Sequence, residues 1–400
     1  MTLRTLDDLV DIGGRRVFVR VDHNVPLKDG NVTDDARVRA SLPTLTELLD
    51  AGTSLVVASH LGRPKGETRD ELRMAPVADR LSELLERDVQ ALDEVVGDRV
   101  QAVCGHIEPG DVVYLENLRF DPREETNDTG FAGELADLAD VYVDDAFGAV
   151  HRAHASVAAL AELFVKEGRP AVAGRLLQEE VEALSRLLND PDRPYVAVLG
   201  GAKVSDKLAT IVALVERVDA ILIGGAMAFT FLAADGGAIG DSLVEPDSFG
   251  EVREARTRAA ERGVLIQLPE DVVAASEVTA EASRSTVPAS AIPRGMKGLD
   301  IGPRTVEEFA RSIADAKTIL WNGPMGVFEL EPFGAGTRGV ATAVAGANAY
   351  TVAGGGDSLA AVAKYGLQNG FDHLSTGGGA SLEFLEGRSL PGIAVLETDR

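Results

Sequence analysis

Five basic residues in the first 152 positions, Arg37, His60, Arg63, Arg119 and Arg152, each lie beyond a short apolar run. The runs are 17–21 (VFVRV), 55–58 (LVVA), 112–115 (VVYL) and 141–143 (VYV). A planar guanidinium grips a phosphate or carboxylate through two parallel hydrogen bonds. In open α/β sheets, ligands sit beyond the carboxyl ends of the strands. If the four runs are parallel strands, the basic residues converge on one face. Asp22 and Asn24, in the turn after the first run, suit a substrate hydroxyl. The ligand so described is small, hydroxylated and multiply anionic. Any single arginine of this set reads equally as a solvated surface residue, but five at successive strand exits point to a site. His151 and His154 flank Arg152 and read as hydrogen-bonders in a turn.

The second half offers phosphate chemistry of another kind. It holds no G-x-x-x-x-G-K-[ST] sequence, so glycine-rich turns must serve instead. Residues 352–360 (VAGGGDSLA) read as a strand running into glycines that open a helix. Gly355 and Gly356 allow close backbone approach, and the helix start presents free N–H groups. Asp357 is placed to hold a magnesium ion bridging phosphates. Ser358 reads as both helix cap and phosphate donor. A second such turn spans 200–207 (GGAKVSDK). The chain has eight lysines against 31 arginines, and Lys203 and Lys207 both fall here. On a helix, that spacing places them on one face, where either could stabilise a moving phosphoryl group. Residues 223–229 (IGGAMAF) suggest a flat apolar slot for a base. In 321–329 (WNGPMGVFE), Glu329 suits ribose hydroxyls and Asn322 a phosphate. Residues 376–381 (TGGGAS) read as close helix–strand packing. Gly334 to Gly339 match the dinucleotide pattern G-x-G-x-x-G, but no strand precedes them, and the match reads as accidental.

The elements that must position these residues are short apolar runs separated by amphipathic stretches. Further runs are 196–199, 220–223, 264–268, 318–321 and 350–353, and helical patterns cover 42–50 and 206–217. Such alternation predicts parallel sheets covered on both faces. Four hundred residues exceed one core, so two domains of roughly 200 residues each are expected. The longest helical pattern, 174–188, ends at Asn189-Asp190-Pro191 and divides the chain near its middle. The fold class expected is α/β: two doubly wound parallel-sheet (Rossmann-like) domains joined by a connecting helix, with a cleft between them. The bounds are 1–173 for the first domain, 174–190 for the connector and 191–387 for the second.

The net charge of −25 disfavours nucleic acid and anionic membrane as partners. It reads as a surface adapted to high salt, where counterions screen self-repulsion. No apolar stretch reaches the length of a membrane span. The acidic start and the single Cys104 favour the cytoplasm.

Nine segments together resemble phosphoglycerate kinases. They are 20–26 (RVDHNVP), 59–64 (SHLGRP), 115–120 (LENLRF), 151–154 (HRAH), 199–207 (LGGAKVSDK), 224–229 (GGAMAF), 321–329 (WNGPMGVFE), 354–358 (GGGDS) and 375–383 (STGGGASLE). They occur in family order along essentially the whole chain. The resemblance implies reversible phosphoryl transfer from 1,3-bisphosphoglycerate to ADP, giving 3-phosphoglycerate and ATP. It implies that Asp22, Asn24, Arg37, His60, Arg63, Arg119 and Arg152 hold phosphoglycerate. It implies that Lys203, Lys207, Gly298, Leu299, Glu329, Gly355, Gly356, Asp357 and Ser358 serve the nucleotide and its Mg2+. It further implies a hinge-closing monomer whose tail, about 388–400, packs on the first domain. The sequence departs from the family at His23, where Phe is usual, and at Ala226, which replaces a glycine. Other departures are Val150, in place of Ala, and Gln178 to Glu180, where a lysine is often found.

The chemistry so implied needs no general base, because the carboxylate and the ADP oxygen are already ionised. Catalysis reduces to alignment and charge neutralisation, with Arg37 and Lys203 as the expected catalytic pair. Three alternatives remain open at this point: a nicotinamide-dependent oxidoreductase using 334–339, a silent binding protein, and a kinase for another carboxylic acid.

Overall fold

A computed structural model of the chain describes residues 2–398. It divides into two compact units, one of Met1–Glu182 with Ser389–Arg400 and one of Ala183–Arg388.

The first unit is built on six strands: β1 (Arg16–Val21), β2 (Ser54–Ala58), β3 (Val89–Ala91), β4 (Val112–Tyr114), β5 (Val141–Asp145) and β6 (Ala171–Ala173). They form one sheet in the order β3-β4-β2-β1-β5-β6, with every neighbouring pair parallel. The central strands are buried along nearly their whole length, which is why they read as unbroken apolar runs. The chain leaves β1 to one side for β2 and later returns to its other side for β5. The crevice that this reversal creates lies at the carboxyl ends of β1, β2 and β5. In register, Arg20 of β1 stands between Ala58 and Asp144. The helices α1 (Ala36–Ala40) and α2 (Leu42–Asp50) follow β1, the second on the span expected. The final described residues also belong to this unit. Leu3 bridges to Glu397, and the Gly392 N–H donates to the Val150 carbonyl at 3.0 Å. Residues 399 and 400 of the expected tail lie outside the described residues.

The helix α3 (Arg175–Leu188) coincides with the long helical pattern, and the chain passes from one unit to the other within it. Asp145 accepts from the N–H groups of Leu176 (2.9 Å) and Leu177 (3.3 Å) at its start.

The second unit has strands β7 (Tyr195–Leu199), β8 (Ala220–Ile223), β9 (Leu265–Gln267), β10 (Asp271–Ala275), β11 (Arg284–Pro288), β12 (Lys297–Ile301), β13 (Thr318–Asn322), β14 (Tyr350–Gly354) and β15 (His373–Ser375). Its parallel sheet runs β9-β8-β7-β13-β14-β15. Counted from β7, this is the Rossmann order 3-2-1-4-5-6, with the reversal between β7 and β13. The remaining three, β10 to β12, form a separate antiparallel sheet. The sequence reading missed this insert because β11 is mostly exposed and polar and gives no apolar run. It also missed the short strands β3, β6 and β15. The helix α4 (Leu208–Val215) follows β7, α5 (Met227–Ala234) follows β8, and α6 (Ala335–Ala345) and α7 (Gly356–Tyr365) flank β14.

Among the described residues, no helix is long and apolar enough to cross a membrane.

Candidate functional site

The first unit assembles a cationic site from side chains. Asp22 leaves the end of β1, and its Oδ2 accepts from the Arg37 guanidinium at 2.6 Å. Its Oδ1 is buried without a partner. Asn24 accepts the Gly62 N–H at 2.9 Å, and the Gly62 carbonyl accepts from Arg119 at 2.8 Å. Gly62 thus ties the exit of β1 to the exit of β4. Its positive φ (63°) favours glycine, and an added Cβ would press on the Leu72 side chain at 2.8 Å. Arg119 is almost fully buried, and its Nε lacks a hydrogen bond. Arg152 is half-buried and donates to the His151 ring at 3.0 Å.

Electrostatics shows how close these groups are. Burial, then the charges of Arg20 and Arg119, with Arg37 adding to them, hold His60 well below the usual histidine range. Burial, then Arg119, Arg20 and Arg152, push His154 down to about 3. Both rings are therefore neutral at physiological pH in a strongly positive field. Asp22, Asn24, Arg37, His60, Arg119 and Arg152 are gathered beyond the carboxyl ends of the interior strands. Arg63 follows Gly62 and is exposed, so its chain position alone ties it to the others.

Three residues that the sequence reading passed over stand behind this face. Arg20 is fully buried, as are Ser156 and Glu124. A charge inside a strand buried on both sides must be bonded, so Arg20 within VFVRV was a signal available in the sequence. His23 is also fully buried, between the Tyr114 hydroxyl (2.9 Å) and the Ser41 hydroxyl (2.8 Å). The Ser41 hydroxyl donates to the Val38 carbonyl at 2.9 Å, so it accepts from His23 Nε2, and Nδ1 accepts from Tyr114. Burial, then Arg20, pushes His23 down to about 3.

The second unit builds its site from backbone. At the reversal between β7 and β13, the Gly201 N–H donates to the Pro324 carbonyl at 3.1 Å. A Cβ on Gly200 would lie 2.1 Å from that same oxygen. A cavity of about 360 Å³ opens here, lined by Gly225, Ala226 and Phe229 from the 223–229 turn and by Gly298 and Leu299 from β12. The antiparallel insert thus forms one wall of the slot. Glycine at 298 leaves room for the Phe229 ring, which a Cβ there would crowd at 2.1 Å. Glu329 and Asp357 also line the cavity, and both are exposed.

Gly355 precedes α7 with φ 90°, and the first intrahelical bond runs from the Leu359 N–H to the Gly355 carbonyl at 3.1 Å. The Gly356, Asp357 and Ser358 N–H groups precede that bond and face the start of the helix. Ser358 is not the cap expected, since Gly355 occupies that place. Its buried hydroxyl instead accepts the Gly323 N–H at 2.6 Å, fastening α7 to the turn after β13.

The two lysines do not share a helical face. α4 begins only at Leu208, because 200–207 forms an irregular turn, and Lys207 is the residue before the helix. Lys207 bonds to Asn322 Oδ1, which takes up the Asn322 oxygen expected to meet a phosphate. Burial lowers the Lys207 pKa against the opposing charges of Asp206 and Asp357. Lys203 is exposed and outside the cavity lining. The 334–339 glycines follow a single helical turn, Glu331–Phe333, and not a strand. Gly336 donates to Asp300 at 2.6 Å and packs α6 on it, which ends the dinucleotide reading.

The family model "Phosphoglycerate kinase" matches residues 6–388. A phosphoglycerate kinase of Moorella thermoacetica is 52% identical over 396 residues, 99% of each chain. That of an Anaeromyxobacter species is 54% identical over 400 residues, covering 99% of this chain and 100% of the relative. The solved structure of the Coxiella burnetii phosphoglycerate kinase superposes with a TM-score of 0.88 at 41% identity, covering 99% of each chain. That from Pyrococcus horikoshii gives 0.86 at 34% identity, covering 98% of each. With its two parallel sheets and its full-length likeness to these enzymes, the chain belongs to the phosphoglycerate kinase family.

Proposed function

We propose that the two sites divide the family's reaction, with phosphoglycerate on the first unit and the nucleotide on the second. The reaction itself follows from family membership: a glycolytic kinase moves a phosphoryl group between 1,3-bisphosphoglycerate and ADP, with 3-phosphoglycerate and ATP as the other pair. The observation that carries the division is the gathering of Asp22, Arg37, His60, Arg119 and Arg152 beyond the carboxyl ends of the interior strands. Guanidinium groups there take the phosphate and carboxylate, and Asp22 with Asn24 takes the hydroxyl. Arg63, exposed beside them, is assigned to the same ligand.

In the second unit, the apolar slot beside Gly298 and Leu299 takes the base, and Glu329 takes the ribose. The α7 amides of Gly356, Asp357 and Ser358, with the turn at Gly355 and with Lys207, hold the phosphates. The donor set suits Mg2+. Among the described residues no cluster of three acidic or soft ligands could hold a metal alone. Asp357 would therefore contribute one oxygen to an ion that takes the rest from phosphates and water. When bound, the ion supplies neutralisation of phosphate charge.

Arg37 and Lys203 act on the moving phosphoryl group, as positioned charge with no proton to transfer. Lys203, exposed on an irregular turn, suits a group that meets its target only when substrate is present. The acidic surface serves a cytoplasmic, salt-adapted monomer. A coupled assay with 3-phosphoglycerate and ATP, run at low and multimolar KCl, tests the reading. Turnover that rises or holds at high salt supports it. Turnover lost at high salt overturns the salt adaptation, and none at any salt overturns the division of sites.

A further inference from the structure

We infer that Arg20, with Ser156 and Glu124 behind it, fixes His60 as the neutral tautomer that presents Nε2–H to the anion site. This rests on the assignment of the first unit's cationic face to phosphoglycerate. The argument is one of hydrogen-bond direction. A guanidinium has only donors. Arg20 Nη2 lies 3.1 Å from His60 Nδ1, so Nδ1 must accept. A neutral imidazole whose Nδ1 accepts carries its proton on Nε2.

The same logic fixes the rest of the chain. Arg20 Nε donates to Ser156 Oγ at 2.9 Å, so the Ser156 proton is free to point onward. It goes to Glu124 Oε1 at 2.6 Å, while the Ser156 N–H donates to Glu124 Oε2 at 2.9 Å. Arg20 Nη1 bonds the Val21 carbonyl. The result is a buried set of hydrogen bonds in which Arg20 donates in two directions, to the His60 ring at the site and, through Ser156, toward the Glu124 carboxylate. No other arrangement of protons satisfies every partner. The field around His60, with Arg119 and Arg37 added to Arg20, further disfavours the imidazolium. His60 therefore meets an anion as an aimed N–H donor and not as a charge. Arg20, Ser156 and Glu124 are positioning residues.

The tautomer is read directly from the nitrogen-15 shifts of His60 in the unliganded wild-type protein at neutral pH. A pyrrole-like Nε2 and a pyridine-like Nδ1 are expected. The opposite pattern, or two protonated nitrogens, overturns the inference. Ser156→Ala removes the Arg20 acceptor while sparing the buried charges. It should raise the KM for 3-phosphoglycerate roughly 5- to 10-fold, the worth of one net hydrogen bond, and leave the KM for ATP in place. An equal rise in both KM values, or none, overturns the positioning role. Unchanged KM for 3-phosphoglycerate in His60→Ala defeats the assignment of this face to phosphoglycerate, and is distinguishable because the wild-type tautomer is measured without ligand.

Discussion

The two units share a parallel α/β plan, yet they build their sites from different materials. In the first, the site is made of long side chains held by buried polar groups: Arg37 on Asp22, Arg119 on Gly62, His60 on Arg20. In the second, it is made of backbone brought close at glycines, with apolar walls at Phe229 and Leu299. The difference suits the ligands assigned. A small polyanion offers only charge and hydroxyls, so it must be met by aimed donors. A nucleotide offers a flat base and a phosphate chain, for which a slot and a helix start suffice. A site of side chains should fail by deletion, and a site of backbone should fail by addition.

The largest effect expected is on the side-chain site. Arg37→Ala removes a cation assigned to the transferring group. With both substrates saturating, kcat should fall by about 10²–10³, as for loss of one preorganised donor. An unchanged kcat removes Arg37 from the catalytic role. The counterpart on the backbone site is an added methyl group. Gly298→Ala places a Cβ 2.1 Å from the Phe229 ring. Overpacking of about 1–3 kcal/mol corresponds to roughly 5- to 150-fold in the KM for ATP if it all falls on the ligand. The KM for 3-phosphoglycerate should hold.

A smaller effect separates stability from activity. His23→Phe installs the residue usual in the family, but here it strips buried partners from Tyr114 and Ser41. A loss of about 1–3 kcal/mol is expected from the first unit, with kinase activity retained. The one tryptophan, Trp321, is buried in the second unit, so its fluorescence reports that unit alone. The loss should appear in far-ultraviolet circular dichroism and leave the Trp321 transition in place. The pH dependence sharpens the point. Burial, then Arg20, pushes the His23 pKa down to about 3 in the fold, from the ordinary histidine value of 6.5. Its neutral ring contributes full stability above pH 6.5, and that contribution is lost as pH falls toward 3. The gap between wild type and His23→Phe should therefore narrow as pH falls below 6.5 and close before pH 3 is reached. A gap that is constant with pH shows that His23 takes up its proton as readily in the fold as in the unfolded chain.

Much of this contrast was legible in the sequence. The apolar runs became the central strands within a residue or two, because parallel strands buried on both faces leave no polar positions. The glycine turns at 200–201 and 354–356 were legible because Gly200 lies against the Pro324 carbonyl and Gly201 and Gly355 have positive φ. What was not legible depended on tertiary partners. The exposed strand β11 has no pattern of its own. The start of α4 at Leu208 is set by a turn whose Lys207 is held by Asn322, 115 residues away. Ser358 reads as a cap locally, and only the turn after β13 reveals its true partner. The buried relay of Glu124, Ser156 and Arg20 joins three distant segments that periodicity cannot connect.

The division of labour is tested most directly by calorimetric titration of wild type, Arg119→Ala and Gly298→Ala, each with 3-phosphoglycerate and separately with ATP. The arginine variant should lose affinity for 3-phosphoglycerate alone, and the glycine variant for ATP alone. A crossed pattern, or equal losses for both ligands in either protein, contradicts the assignment of one ligand to each unit.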